Sequence, residues 1–120
     1  MSLTLYGIPH CSTVKKARLW LAEHAIPATF YDFKKQGVTE ALLTAWLAQG
    51  GTLDTLLNRR GTTWRGLSPA DQALAAQPEK ALTLLCTYPS LIKRPVLTDG
   101  VTLTIGFSEA AYAARFAAVA

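Results

Sequence analysis

Charge is scarce in this chain: acidic and basic residues together make up 17% of its 120 residues, while 50% are hydrophobic. That balance excludes a disordered chain, which stays unfolded through low hydrophobicity and high net charge. Long apolar runs are missing too. With no stretch of about 18 uninterrupted apolar residues, no membrane-spanning helix is expected. The N-terminus has no basic segment leading into an apolar one, so no secretory signal is expected. Cysteine is limited to Cys11 and Cys86, a supply that suits a reducing cytoplasm better than a disulfide scaffold; a cytoplasmic location is expected. Internal repeats and low-complexity linkers are absent, and a chain of this length reads as one domain with its own core. No metal site is expected.

What charge there is leans basic, with 12 Lys and Arg against 8 Asp and Glu and a formal net charge of +4. The cations gather at Lys15, Lys16 and Arg18, at Lys34 and Lys35, at Arg59, Arg60 and Arg65, and at Lys93 and Arg94. These clusters flank turns and helix starts and form no arginine-rich tract. Single-strand binding would need such charge on one face, interleaved with exposed aromatics, so no direct nucleic-acid contact is expected. A small anion-binding site accounts for the clusters more economically. Lys34 and Lys35 read as solvated surface.

The hydrophobic pattern predicts a strand over Leu3–Tyr6 and a helix over Ser12–His24, with Val14, Ala17, Leu21 and the stem of Arg18 on one face. Thr29–Phe33 reads as a second strand, parallel to the first through a right-handed crossover, and Lys34–Val38 as a loop. Thr39 caps a helix running to about Gln49, with Leu42, Leu43, Trp46 and Leu47 on its apolar face. Leu53–Asn58 is a short helical piece, and Arg59–Arg65 a polar connection too rich in Gly and Thr for a helix interior. Ser68-Pro69-Ala70-Asp71 supplies a cap, a proline at the first position and an acid in the first turn. Pro78-Glu79 opens another helix to about Thr87. Val96–Thr98 and Val101–Ile105 read as a hairpin in which Asp99-Gly100 favours a type I′ turn. Ser108-Glu109 caps a last helix to about Ala118. The order is β-α-β, a helical block, then β-β-α: an α/β fold with a thioredoxin/glutaredoxin-like core over residues 1–38 and 88–120 and an inserted helical subdomain over 39–87.

Chemistry concentrates where the first strand meets the first helix. Gly7 and Pro9 force a turn, and Ser12 or Thr13 caps the helix, which leaves Cys11 at its mouth. Most free cysteines are small, inert core residues, and Cys86, within the apolar run Ala81–Cys86, reads that way. Cys11 differs by location. At a helix N-terminus flanked by cations, a thiol pKa falls from about 8.5 to roughly 3.5–7.5, because unpaired N–H groups and the helix dipole favour the thiolate. Lys15 and Lys16 add positive potential.

Cys11, Arg60-Gly61-Thr62-Thr63-Trp64-Arg65, Lys93-Arg94-Pro95 and Gly106-Phe107-Ser108 together make the chain resemble the ArsC/Spx family of arsenate reductase-like proteins, most closely its YffB-like subgroup. The likeness covers essentially the whole chain. It implies a thioredoxin-fold core with a helical insertion, and a cis Pro95 exposing backbone beside Cys11 for a thiol peptide such as glutathione. It also implies three arginines around an oxyanion. Arg94 matches one. A second falls on Asn58, with Arg59 and Arg60 adjacent. The third falls on Phe107, which removes a strong charge-assisted contact. A family histidine falls on Gly7, while His10 lies elsewhere in the turn. The regulatory relatives commonly carry a Cys-x-x-Cys switch; here Val14 takes the second position, so no local disulfide can form.

The reading that follows is a glutathione-dependent thiol reductase with Cys11 as its single nucleophile and no bound cofactor, glutathione being the co-substrate. Arg94, with Arg59 or Arg60, attracts the carboxylates of glutathione or another small thiol or anionic substrate. Pro95, Thr63, Arg65 and Ser12 complete the expected site, Arg65 having a structural ion pair as its alternative role. Trp20 and Trp64 read as packing. Competing readings are a true arsenate reductase and a non-enzymatic adaptor whose protein partner is RNA polymerase. A monomer is expected.

Overall fold

The computed structural model describes residues 2–117. Four short strands, β1 (Thr4–Gly7), β2 (Thr29–Asp32), β3 (Val96–Thr98) and β4 (Leu103–Ile105), form one sheet in the order β2-β1-β3-β4. β1 runs parallel to β2, as expected, with Leu5 opposite Phe30; it runs antiparallel to β3, with Leu5 opposite Leu97. β3 and β4 are antiparallel, Leu97 opposite Thr104.

Helix α1 (Ser12–Glu23) connects β1 to β2. Between β2 and β3 lie α2 (Phe33–Gln36), α3 (Glu40–Ala48), α4 (Leu53–Leu56), α5 (Thr62–Gly66), α6 (Pro69–Leu74), α7 (Pro78–Thr87) and a 3₁₀ turn over Pro89–Leu91. Helix α8 (Glu109–Ala117) follows β4; the expected helix end at Ala118 lies outside the described residues.

The sheet is covered on both faces. Successive strand residues point to opposite sides, so Val96 and Leu97, both 0% exposed, enter two different cores. Val96 packs with Phe33, Leu43, Trp46, Leu56, Leu85 and Ile92 of the helical block and its edge. Leu97 packs with Leu5, Ala17, Trp20, Leu21 and Tyr112 under α1 and α8. Deleting a side chain as completely buried as Leu97 to alanine costs about 2–5 kcal/mol. Trp20 belongs to this packing, as expected, with Tyr112 edge-on at 5.5 Å.

Local chemistry explains the helix starts. Thr39 accepts from the Leu42 N–H, Ser68 from the Asp71 N–H and Ser108 from the Ala111 N–H, as their positions in the sequence predict. Three expectations are corrected. Lys34–Gln36 belong to the helical turn α2 because Asp32 Oδ1 accepts from the N–H groups of Lys34 and Lys35 at 3.1 Å. Thr62–Gly66 is a helical turn within the supposed polar connection, its first turn closed by the Arg65 N–H on the Gly61 carbonyl. The Asp99-Gly100 turn is not type I′, which needs positive φ at both residues. Gly100 alone takes it, at φ 95°, while Asp99 Oδ1 accepts from the Val101 and Thr102 N–H groups at 2.9 and 2.8 Å.

The helical block is stitched to the chain ahead of β3. Leu57 and Ile92 form an antiparallel bridge. The Asn58 N–H donates to the Leu91 carbonyl and the Lys93 N–H to the Leu56 carbonyl, both at 2.7 Å. With Leu57 and Ile92 buried, these bonds are shielded from water, and they seat the Arg59–Arg60 loop beside Lys93.

Candidate functional site

β1 ends at Gly7, where the chain must pass close over the first turn of α1. A Cβ on Gly7 would stand 2.7 Å from Val14 Cγ2; glycine is required there for space. The chain then turns through Ile8, Pro9 and His10, with the Cys11 N–H returning to the Ile8 carbonyl at 3.3 Å. Cys11 itself is the N-cap residue: its backbone is extended (φ −79°, ψ 125°) and its carbonyl accepts from Lys15 at 3.0 Å. The expected caps are therefore displaced by one or two positions. Ser12 is the first helical residue and is exposed, and no side chain makes a capping hydrogen bond at the N-terminus of this helix.

The Cys11 thiol is half-buried. Burial pushes its pKa up, but the backbone N–H of Val14, the Arg94 guanidinium and the N–H of Thr13 together outweigh burial and bring it below the ordinary cysteine value. These N–H groups belong to the helix's unpaired donors, and a thiolate is a far better acceptor for them than a thiol. Cys11 thus holds the capping position, and its negative form completes the cap.

Arg94 is the guanidinium that acts on the thiol. It is half-buried, its Nη1 donates to the Ser90 carbonyl at 3.0 Å, and the Arg94–Pro95 peptide is cis, as the family resemblance implies. Ser90 was not among the residues singled out in the sequence; it acts through its backbone carbonyl, and side-chain chemistry gives no signal for that.

The other arginines have different surroundings. Arg59 pairs with Asp54 at 3.2 Å and lies 5.6 Å above the Trp64 ring. Arg59 and Arg60 line a cleft of about 320 Å³ with Asp54, Asn58 and Lys93. Arg65 is a loop clamp: its Nη2 donates to the Arg60 carbonyl at 2.9 Å and its Nε to the Gly61 carbonyl at 3.5 Å. Its structural alternative is therefore what the geometry favours, with carbonyls in place of the anticipated ion pair. Thr63 is half-buried in α5. Asn58 spends its Oδ1 on the Arg60 N–H at 3.0 Å. Phe107 packs edge-on against Tyr112, centroids 4.7 Å apart. His10 is exposed.

Cys86 is half-buried rather than fully in the core, packed against the helical-block cluster. Burial and the Glu40 carboxylate push its thiol up, opposite to Cys11. Among the described residues, no group of three or more His, Cys, Asp or Glu is placed to hold a metal, and no helix is long and apolar enough to cross a membrane.

A mixed four-stranded sheet between helices, with a thiol at the first helix N-terminus and a cis proline opening the antiparallel half, defines a thioredoxin-like protein of the arsenate reductase-like type. The chain belongs to the ArsC family, whose model matches residues 6–115. It is similar to the solved structure of a protein named YffB, with 45% identity, a TM-score of 0.86 and coverage of 94% of this chain and 97% of that one. An arsenate reductase (ArsC) related protein from Brucella melitensis is 44% identical, with a TM-score of 0.74 and coverage of 97% and 95%. An uncharacterised protein of Haemophilus influenzae is 42% identical over 96% of this chain and 99% of its own length. A global transcriptional regulator Spx of Streptococcus pneumoniae is 28% identical over 89% of this chain and 80% of the regulator.

Proposed function

We propose that this ArsC-family protein is a thiol–disulfide oxidoreductase of the cytoplasm that uses Cys11 as its single nucleophile and glutathione as co-substrate. The observation that carries the reading is the Cys11 thiol, held below its ordinary pKa by two helix N–H groups and Arg94 against the opposing effect of burial. Thiol–disulfide exchange depends on thiolate fraction and access; the lowered pKa favours the first and the partial exposure of Cys11 gives the second. The Cys11 thiolate attacks one sulfur of a disulfide; the S–S bond breaks, a mixed disulfide forms on Cys11, and the other half leaves as a thiolate that takes a proton from water. Val14 supplies no second thiol, so a glutathione thiolate attacks the bound half's sulfur. Cys11 is released as thiolate, and the bound half departs joined to glutathione. A second glutathione completes the two-electron reduction.

Oxyanion reduction is less well supported. Phe107 offers a ring packed on Tyr112 and no charge, and Arg65 is committed to backbone carbonyls. An adaptor role of the Spx kind draws on the regulator relatives and would not require a lowered thiol pKa. Mass spectrometry after exposure to oxidised glutathione tests the proposal: a glutathione adduct on Cys11 that is removed by reduced glutathione is expected. An unmodified Cys11, with alkylation titrating at about 8.5 or above, would leave the adaptor reading standing.

A further inference from the structure

Thr13, Lys16, Trp20 and Glu23 recur at three- and four-residue spacing, which puts them in one stripe along α1. The start of α8, with Phe107 just ahead of it, stands opposite, and the two bound a groove of about 770 Å³. Thr13 ties this groove to the thiol: its N–H acts on Cys11, and the same residue lines the groove. From Thr13 to Glu23 the helix rises about 15 Å, the length of four or five extended residues. The floor is apolar and preset. Trp20 and Phe107 both stand edge-on to the buried Tyr112 ring, with centroids at 5.5 and 4.7 Å. Leu19, 61% exposed, forms an apolar lip that the core does not use. His24, stacked on Trp20 at 3.8 Å, marks the far end. The charge here also runs against the rest of the chain, whose net charge is +4. Glu23 and Glu109 line the groove against the single ammonium of Lys16, and none of the three is in an ion pair among the described residues.

We infer that the groove between α1 and α8 seats the polypeptide flanking a disulfide-bonded cysteine, so that Cys11 acts on protein disulfides whose cysteine is neighboured by apolar and basic side chains. The inference rests on the reading of Cys11 as nucleophile and names its substrate class. The apolar side chain lies on the floor between Leu19 and Phe107, and the basic one meets the unpaired carboxylates. The Cys11 thiolate then attacks the sulfur of the seated peptide. That S–S bond breaks, a disulfide forms between Cys11 and the peptide, and the other half leaves as a thiolate that takes its proton from water. Released glutathione-ready in this way, the peptide half is resolved by the external thiol already described.

The test is the second-order rate of peptide adduct formation on Cys11, followed by mass spectrometry. Two short peptides are compared, each with its cysteine in a disulfide to β-mercaptoethanol. One carries leucine and lysine on both sides of the cysteine, the other serine and glutamate. Net positive charge alone would steer the acidic peptide to the protein, so a faster reaction with the leucine–lysine peptide reports the groove. Leu19→Ser and Glu23→Lys are each expected to lower that preference about threefold, the scale of one exposed apolar contact or charge pair. Both positions are on the surface, and the rate with hydroxyethyl disulfide, which reaches only the thiol end, should stay at the wild-type value. Equal rates with the two peptides, a preference for the acidic one, or a preference that neither variant changes overturns the groove; the reductase reading survives if hydroxyethyl disulfide still modifies Cys11. Failure of all three disulfides to modify wild-type Cys11 overturns the reductase reading and the groove with it.

Discussion

Val14 closes the space beside Gly7: a Cβ on the glycine would lie 2.7 Å from one Val14 methyl carbon and 3.2 Å from the other. The position of a second switch cysteine and the end of β1 are therefore one packed unit next to the thiol. A β-branched side chain in a helix has one favoured χ1, and Val14 is 0% exposed, so it cannot swing aside. Gly7→Ala is expected to lower stability by about 1–3 kcal/mol through overpacking, outweighing the small gain from a stiffer unfolded chain. The urea unfolding midpoint reads this; a midpoint at or above the wild-type value would show that β1 or α1 yields.

The pH dependence of Cys11 follows from its lowered pKa. Alkylation should reach its half-maximal rate below about 8.5, and Arg94→Gln should move that midpoint upward by removing a donor and a charge. Stability obeys the same linkage. The contribution is complete above the unfolded thiol pKa and is lost as pH falls through the lower folded value. An unchanged alkylation midpoint in Arg94→Gln would leave the two N–H groups as the sole cause.

Cys86 is expected to be a bystander. Its thiol is pushed up by burial and Glu40, so at neutral pH a limiting amount of iodoacetamide should label Cys11 well before it. Cys86→Ser should leave turnover nearly intact. Lost turnover in a folded protein would instead identify Cys86 as a resolving thiol.

Arg65 holds the loop that carries Arg59 and Arg60. Arg65→Ala should cost about 1 kcal/mol, the scale of a lost charge-assisted bond at an exposed site. Arg65→Lys should recover only part, because an ammonium lacks the fork that reaches two carbonyls. Full recovery by lysine would point to charge rather than geometry.

Asp99 organises the β3–β4 turn. The N–H groups of Thr102 and Val101 lower its pKa, with a further contribution from Arg115, whose guanidinium lies 3.8 Å away on a side chain that is 8% exposed. The stabilisation is present above the ordinary carboxylate pKa and is lost as pH falls through the lowered one. Asp99→Ala should therefore reduce Tm at pH 7 and have a smaller effect near pH 2. Equal losses at both would assign the effect to packing.

Features decided within a few residues could be read from the sequence. The caps at Thr39, Ser68 and Ser108 and the placement of Cys11 at the start of α1 depend on the next three or four residues, which the sequence displays directly. Where two local uses of a residue compete, the reading failed. Asp99 beside Gly100 suggests a left-handed pair, but its carboxylate instead collects two N–H groups. Asp32 likewise ends β2 and starts α2 at once.

The sequence by itself determined the coarse order of strands and longer helices, the place of a thiol at the first helix N-terminus and the absence of a second thiol three residues on. Only the tertiary structure decided which cations serve that thiol. Arg94 reaches Cys11 because β3 returns beside β1, whereas Arg59 and Arg60 meet Lys93 through a bridge between Leu57 and Ile92. Contacts between residues 35 positions apart depend on how buried faces pack, and that packing free energy is spread over the whole core rather than written in any local run.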